Sequence, residues 1–237
     1  MRDLIDHLFL KHSVQLSVFP EFVSFLAGTK RIIRIVVDKT DASFDFQLFS
    51  KYGLFVSQQE LYTEDQGNSF GRLVSKMNEI NAGDFKEVSM LSFSSSHREL
   101  IEFEKAEVDG DTEKAGLMLG YPKCCVKNVE TINSLNELWS LYYLDDYRKN
   151  KVASHFTNRF PITWGGMSPI GELFPCSLNC AAAIQYANTM KKDLHSFGFD
   201  GIIANIYEAA MKPIYIHESE GFVSTLSKLD YSPIIFS

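Results

Sequence analysis

The chain of 237 residues is 45% hydrophobic and 22% charged, a globular composition that excludes a disordered or collagen-like protein. Charge, Gly or Pro interrupts every apolar stretch before the roughly 18 residues that a membrane-spanning helix requires, so we expect no membrane association. The net charge of −7 disfavours a nucleic-acid surface, because phosphate binding needs a basic face. Asp3 and Asp6 stand where an export signal has a basic start, and we therefore expect a cytoplasmic location.

The first half of the chain alternates between strand and helix patterns. Apolar spacing over the first two dozen residues predicts two short helices around Pro20. The following segments are a strand at 31–37, a short helix capped by Asp41 and ending near Gly53, an apolar run at 54–56, a helix through 70–80 and a strand at 88–93. This alternation predicts an α/β or α+β fold, with a small mixed sheet that includes some parallel pairing across 30–110.

A polar segment follows the last of these strands. Ser96 and Glu99 have the spacing of a capping box, in which each side chain satisfies a free backbone N–H at a helix start. Residues 98–114 carry seven acidic and three basic side chains, which is typical of a solvated helix face. A calcium loop beginning at Asp109 is rejected, because its sixth position is Lys114 and not Gly.

The second half is predicted to be rich in helices. Long helical patterns follow Pro122 and Pro175, and a loop rich in Gly and Pro joins them at 156–172. The C-terminal patterns predict a helix at 202–211, a strand at 213–217, a short helix near Val223 and a strand at 232–236. We expect an α/β N-terminal domain or subdomain over 1–110 and a helix-rich, cysteine-bearing domain over 111–237, or one continuous domain.

All four cysteines lie between residues 124 and 180, as the pairs Cys124-Cys125 and Cys176-x-x-x-Cys180. A proline precedes each pair, and proline is favoured in the first turn of a helix. Both pairs are therefore predicted at helix N-termini, where free N–H groups and the helix dipole stabilise a thiolate. A thiolate is the form of cysteine that binds metal.

The spacing within each pair bears on the kind of metal. Cys176 and Cys180 are four residues apart, which predicts that they project from one helix face toward one centre. Cys124 and Cys125 diverge by about 100° in a regular helix, so they share a centre only if that turn is irregular or the centre is larger than one ion. A [4Fe–4S] cluster meets the second condition, because each thiolate binds a different iron. Zinc is the alternative, with one cysteine of the tandem pair, Cys176, Cys180 and a nitrogen ligand.

Two motifs carry a resemblance to a known family. Leu119-Gly120-Tyr121-Pro122-Lys123-Cys124-Cys125 and Pro175-Cys176-Ser177-x-x-Cys180 resemble motifs of an uncharacterised prokaryotic family known as a domain of unknown function. The matching segments cover about a quarter of the chain. A histidine that the family places shortly before the second motif is absent here, where Glu172-Leu173-Phe174 stand. The resemblance supports the four cysteines as a site and implies no particular reaction.

These patterns lead to one main functional hypothesis. We expect a cytoplasmic protein that holds an iron–sulfur cluster on Cys124, Cys125, Cys176 and Cys180 and acts as an enzyme on a small molecule or peptide. The alternatives are a zinc-stabilised binding module without catalysis, a metal-free thiol or dithiol enzyme, and cysteines that only fill space. His155 lies between the two pairs and is kept as an additional candidate ligand, although such a histidine more often has no metal.

Overall fold

The computed structural model describes residues 2–11, 18–38, 45–64, 73–74, 85–134, 173, 175–177, 179–204, 215–216, 223–224 and 235–236. The chain divides into two compact units, Met1–Gly120 and Tyr121–Ser237. The N-terminal unit includes residues 111–120, which the sequence pattern assigns to the second half. Whether either part folds as an independent domain stays a prediction.

Among its described residues, the N-terminal unit contains five α-helices, one π-helix and four strands. In chain order they are α1 (Arg2–Ile5), the π-helix (Asp6–Lys11), α2 (Phe19–Leu26), β1 (Ile32–Asp38), α3 (Phe46–Lys51), β2 (Phe55–Glu64), β3 (Leu73–Val74), β4 (Phe85–Ser94), α4 (His97–Val108) and α5 (Thr112–Met118). The two helices predicted around Pro20 and the strands predicted at 31–37 and 88–93 are confirmed.

The four strands form one sheet in the order β1-β4-β2-β3. Every strand pairing in this sheet is antiparallel, so the parallel pairing expected within 30–110 is wrong for the described strands. β1 and β2 run in the same direction and α3 lies between them in sequence, but they are not neighbours in the sheet. β4 lies between them and pairs with both in antiparallel orientation. The mixed α/β class is confirmed.

Helices pack against both faces of this sheet. On one face, Phe93 of β4 contacts Phe22 of α2 and Phe49 of α3, with ring centroids 6.4 Å and 5.0 Å apart. On the other face, Arg34 of β1 forms an ion pair of 3.0 Å with Glu107 of α4. Since alternate residues of a strand point to opposite faces, α2 and α3 cover one side of the sheet and α4 covers the other.

Two helix predictions in this unit need correction. The short helix ending near Gly53 exists, but Asp45 caps it by accepting from the backbone N–H groups of Gln47 and Leu48. Asp41 lies outside the described residues. The helix predicted through 70–80 is wrong at Leu73–Val74, which pair with β2 as a strand, and the remainder of that segment lies outside the described residues.

The capping box predicted at α4 is half formed. Ser96 Oγ accepts a hydrogen bond of 3.3 Å from the Glu99 N–H, as expected. The Ser96 N–H instead donates to Ser94 Oγ at 3.1 Å, and the Glu99 carboxylate binds Arg31 at 3.2 Å. The Ser94 hydroxyl therefore takes the place that the Glu99 carboxylate has in a complete capping box, as the acceptor for the Ser96 N–H.

The C-terminal unit contains two long helices and short strands among its described residues. They are α6 (Lys123–Ser134), α7 (Ala181–Ser196), β5 (Tyr215–Ile216), β6 (Val223–Ser224) and β7 (Ile235–Phe236). β5 pairs with β6 in antiparallel and with β7 in parallel orientation. The strands predicted at 213–217 and 232–236 are confirmed at their described residues, whereas the helix predicted near Val223 is wrong because that residue lies in a strand.

Other predictions for this unit are tested only in part. Residues 201–204 are helical, which agrees with the start of the helix predicted at 202–211. The loop at 156–172 lies outside the described residues. Within the part of the chain that the structure describes, no helix is long and apolar enough to cross a membrane.

A buried ion pair joins α2 to the turn that precedes β1. Lys30 Nζ lies 2.7 Å from Glu21 Oε2, and each side chain is only 2% exposed. The next residue, Arg31, forms its ion pair with Glu99 while 79% exposed. The Lys30–Glu21 and Arg31–Glu99 ion pairs therefore differ strongly in burial, and comparing them separates a buried pair from an exposed one.

We expect Lys30→Met to lower the free energy of unfolding of the N-terminal unit by about 3–5 kcal/mol, because it leaves the Glu21 carboxylate buried without the ammonium. Arg31→Met should lower it by less than about 1 kcal/mol, because water screens an exposed pair. Hydrogen exchange of the β1 and β4 amides in increasing urea measures both values. Equal losses in the two variants would contradict the assigned role of the buried pair.

Candidate metal centre

The first pair of cysteines lies in the first turn of α6. The Pro122 carbonyl accepts hydrogen bonds from the Cys125 N–H at 2.9 Å and the Val126 N–H at 3.0 Å, which starts the helix directly after the proline. Cys124 and Cys125 are the second and third residues of α6. The prediction that this pair lies at a helix N-terminus is confirmed.

The second pair lies in a turn that leads into α7. The Cys180 N–H donates to the Ser177 carbonyl at 3.1 Å, and Cys180 is the N-cap of α7. Its sulfur accepts a hydrogen bond of 3.4 Å from the Ala183 N–H, the role that a Ser or Asp oxygen usually has. Cys176 precedes the helix by several residues, so the prediction that Cys176 and Cys180 share a helix face is wrong.

The four sulfur atoms converge. Cys180 Sγ lies 3.6 Å from Cys124 Sγ and 3.7 Å from Cys125 Sγ, and the two adjacent cysteines have their sulfurs 4.0 Å apart. With Cys176 included, all four sulfurs lie within 4.8 Å of one another. None of these four described cysteines forms a disulfide bond. The predicted convergence of 124, 125, 176 and 180 is therefore found, and this group of four sulfurs is called the thiol cluster below.

One backbone bond links the two stretches at the cluster. The Cys176 N–H donates to Cys125 Sγ at 3.4 Å across 51 residues of sequence. Together with the Ala183 N–H on Cys180, it gives two of the four sulfurs a backbone donor. N–H donors of this kind stabilise negative charge on sulfur, so they favour the thiolate at Cys180 and oppose the effect of burial at Cys125.

The buried sulfurs of the thiol cluster pack against apolar side chains. Cys125 packs in one buried cluster with Leu173, Cys180 and Ala183, against which Tyr121 and Tyr186 are also packed. The two tyrosine rings meet edge to face with centroids 6.0 Å apart. Cys125 is 1% exposed and Cys180 is 8% exposed, whereas Cys124 is exposed to solvent.

This burial controls the protonation of the thiols. Burial raises the pKa of the Cys125 thiol above its ordinary value of 9.0. The hydrogen bond from the Cys176 N–H lowers this pKa, but the nearby sulfurs of Cys176 and Cys180 raise it further, and the pKa remains raised. Burial and the Cys180 and Cys124 sulfurs raise the pKa of Cys176 to about 12. Burial also raises the pKa of Cys180, but hydrogen bonds from the Ala183 N–H and the neighbouring thiols outweigh it and lower that pKa.

The cluster has the donor set of a metal site. Four sulfurs offer one ligand atom each, and four thiolates so close together repel strongly unless a cation lies between them. The four cysteines can therefore hold a metal ion. His155, the additional candidate ligand, lies outside the described residues.

Some contributors to the site were not predicted from the sequence. The Ala183 N–H is the third N–H of α7, the position that an N-cap side chain binds, so recognising Cys180 as a cap would have found it. Tyr121 and Tyr186 come from different stretches, and no local pattern indicates their contact.

Comparisons with protein-family models, with curated proteins and with solved structures found no match to this chain. The interpretation of the thiol cluster therefore depends on its geometry and chemistry alone.

The raised pKa values predict that metal binding expels protons. At pH 7 Cys125 and Cys176 are thiols, because their pKa values lie above 9.0, and both must lose a proton to bind a metal. We expect at least two protons released per ion, and thus an affinity that falls at least about 100-fold for each pH unit below 7.

Calorimetric titration of the metal-free chain with Zn²⁺ in buffers of different ionisation enthalpy measures the number of protons. Fewer than two protons per ion would show that the buried thiols are already ionised, contrary to the effect assigned to burial.

Proposed function

We propose that the C-terminal unit is a zinc-stabilised module, in which one Zn²⁺ is bound by Cys124, Cys125, Cys176 and Cys180. The sulfur spacing is the observation that supports this proposal. A tetrahedral ion with Zn–S bonds of about 2.3 Å requires sulfurs about 3.8 Å apart. The three sulfur separations of 3.6, 3.7 and 4.0 Å lie on either side of that value.

The same spacing argues for zinc over the [4Fe–4S] cluster expected from the sequence. In a cube each thiolate extends outward from a different iron, which separates the sulfurs by roughly 6 Å. The thiol cluster spans at most 4.8 Å. Cys124 and Cys125 both lie in the first turn of α6, where their sulfurs are 4.0 Å apart. This distance is short enough for both sulfurs to bind a single ion, so a multi-iron cluster is not required.

A four-cysteine site has a structural consequence. Catalytic zinc keeps one coordination position for water or substrate, whereas four protein ligands close the site. A closed ion would hold the start of α6 against the turn that begins α7, and the function would belong to another surface of the unit. We therefore favour a binding module over an iron–sulfur enzyme, and a small-molecule or peptide partner stays a prediction.

The resemblance to the uncharacterised prokaryotic family is retained as part of this proposal. Its two motifs are the segments that supply all four sulfurs, so a shared zinc site would explain the resemblance of these segments.

Metal analysis of the purified full chain tests the proposal. We expect one zinc per chain, no acid-labile sulfide, and the absorption of a tetrahedral tetrathiolate site after replacement of zinc by cobalt. Iron and sulfide in equal amounts after anaerobic purification would overturn zinc in favour of the cluster. A chain that binds neither metal, with four titratable thiols, would favour the metal-free alternative.

Substitution of one ligand tests the structural role. Cys180→Ser should lose the bound zinc and lower the stability of the C-terminal unit by several kcal/mol, because the ion binds only the folded site. Ser177→Ala is the matched control, since it alters the same turn without removing a sulfur. Thermal unfolding with and without a chelator measures both, and a Cys180→Ser chain that unfolds like the wild type would contradict the proposed role.

A further inference from the structure

The four sulfurs of the thiol cluster are unequally accessible. Cys125 and Cys180 are buried and Cys176 is partly buried, whereas Cys124 is exposed at the surface of the first turn of α6. Oxidation of cysteine follows thiolate character and access. A dissolved oxidant therefore reaches Cys124 before the other three.

The neighbours of Cys124 differ as disulfide partners. Cys125 is adjacent in sequence, and adjacent Cα atoms are about 3.8 Å apart, below the roughly 4.4 Å at which disulfides begin to be unstrained. Cys176 and Cys180 both come from the other stretch and interact with Cys124, and the sulfur of Cys180 lies 3.6 Å from that of Cys124. The distance between these two sulfurs requires only a short approach to form a bond.

We propose that the thiol cluster is also a redox-sensitive site, at which a hydroperoxide oxidises Cys124, a disulfide forms between Cys124 and Cys180, and the metal is released. The inference rests on the zinc site proposed above. It adds a modification site and a means of regulation to that site, and it identifies one pair among the six possible pairings of four cysteines.

The chemistry balances with the hydroperoxide as the only oxidant. The Cys124 thiolate attacks one oxygen of hydrogen peroxide, so that an S–O bond forms, the O–O bond breaks and hydroxide leaves. The Cys180 thiolate then attacks the sulfenic sulfur, so that the S–S bond forms, the S–O bond breaks and a second hydroxide leaves. Two thiolates lose two electrons, peroxide gains them, and the two hydroxides take protons from solvent.

The disulfide removes half of the ligands. Only Cys125 and Cys176 remain for the ion, and both negative charges of the oxidised pair are lost from the centre. The bond also withdraws charge from the sulfur that accepts the Ala183 N–H at the start of α7. Release of zinc and a weaker helix cap should therefore accompany the oxidation.

The experiment begins with the zinc content of the full chain, measured before any oxidant is added. A chain without one bound zinc refutes the proposed zinc site on which the inference rests. For zinc-loaded chain, stoichiometric hydrogen peroxide is added, released zinc is followed with a chromogenic chelator, and remaining thiols are alkylated before non-reducing peptide mapping. We expect one zinc released per disulfide and fragment ions that join Cys124 to Cys180.

Two histidine variants separate the exposed sulfur from the site as a whole. Cys124→His and Cys176→His each leave three cysteines and one histidine, a ligand set that zinc accepts. Zinc release by peroxide should be at least about tenfold slower in Cys124→His, because its most accessible sulfur is gone. Cys176→His is the matched control and should release zinc with the Cys124–Cys180 disulfide.

The outcomes distinguish the two proposals. Zinc-loaded chain that keeps its metal and thiols under peroxide overturns the redox inference and leaves the zinc site standing. A disulfide joining any other pair, or equal release rates in wild type and Cys124→His, also overturns it. If the histidine variants fail to bind zinc, the mapped pair in the wild type alone decides the outcome.

Discussion

The closeness of four sulfurs is the constraint around which the described part of the C-terminal unit is arranged. Within a span of 4.8 Å, ionised thiolates repel one another strongly, and neutral thiols make only weak hydrogen bonds. The described residues supply two backbone N–H donors to these sulfurs, from Cys176 and Ala183, which reduces the repulsion without removing it. A cation at the centre would turn this repulsion into attraction, and would then hold the starts of α6 and α7 together.

The sequence was sufficient for one half of this centre. Pro122 marks the start of α6, and the tandem cysteines follow at once, so their place in the first turn could be predicted from proline chemistry alone. After Pro175 the same reasoning was right for Cys180, which is the N-cap of α7, and wrong for Cys176, which lies in a turn before the helix begins. Cysteine is not among the usual capping residues, so nothing local distinguished a sulfur cap from a sulfur on the helix face.

The fold predictions that succeeded depend on local sequence, whereas those that failed depend on contacts with distant parts of the chain. The β-branched run of β1 is long enough to be recognised as a strand from the sequence, and its partner β4 carries apolar residues at Val88, Met90, Leu91 and Phe93. Leu73–Val74 and Val223–Ser224 are strands only because a distant strand supplies their hydrogen bonds, and a spacing rule applied to so few residues cannot detect that partner. The direction of pairing was equally inaccessible, since it depends on how the connections cross and not on the composition of each strand.

Unequal burial of the sulfurs connects the stability of the unit to its chemistry. Burying Cys125 and Cys180 among Leu173 and Ala183 raises the cost of an empty centre, because buried sulfurs then lack both water and a cation. Cys124 is exposed, so solvent reaches one sulfur of the cluster directly. If the cluster binds an ion as proposed, a surface formed by α6 and α7 would depend on a site that is buried on one side and accessible to solvent at Cys124.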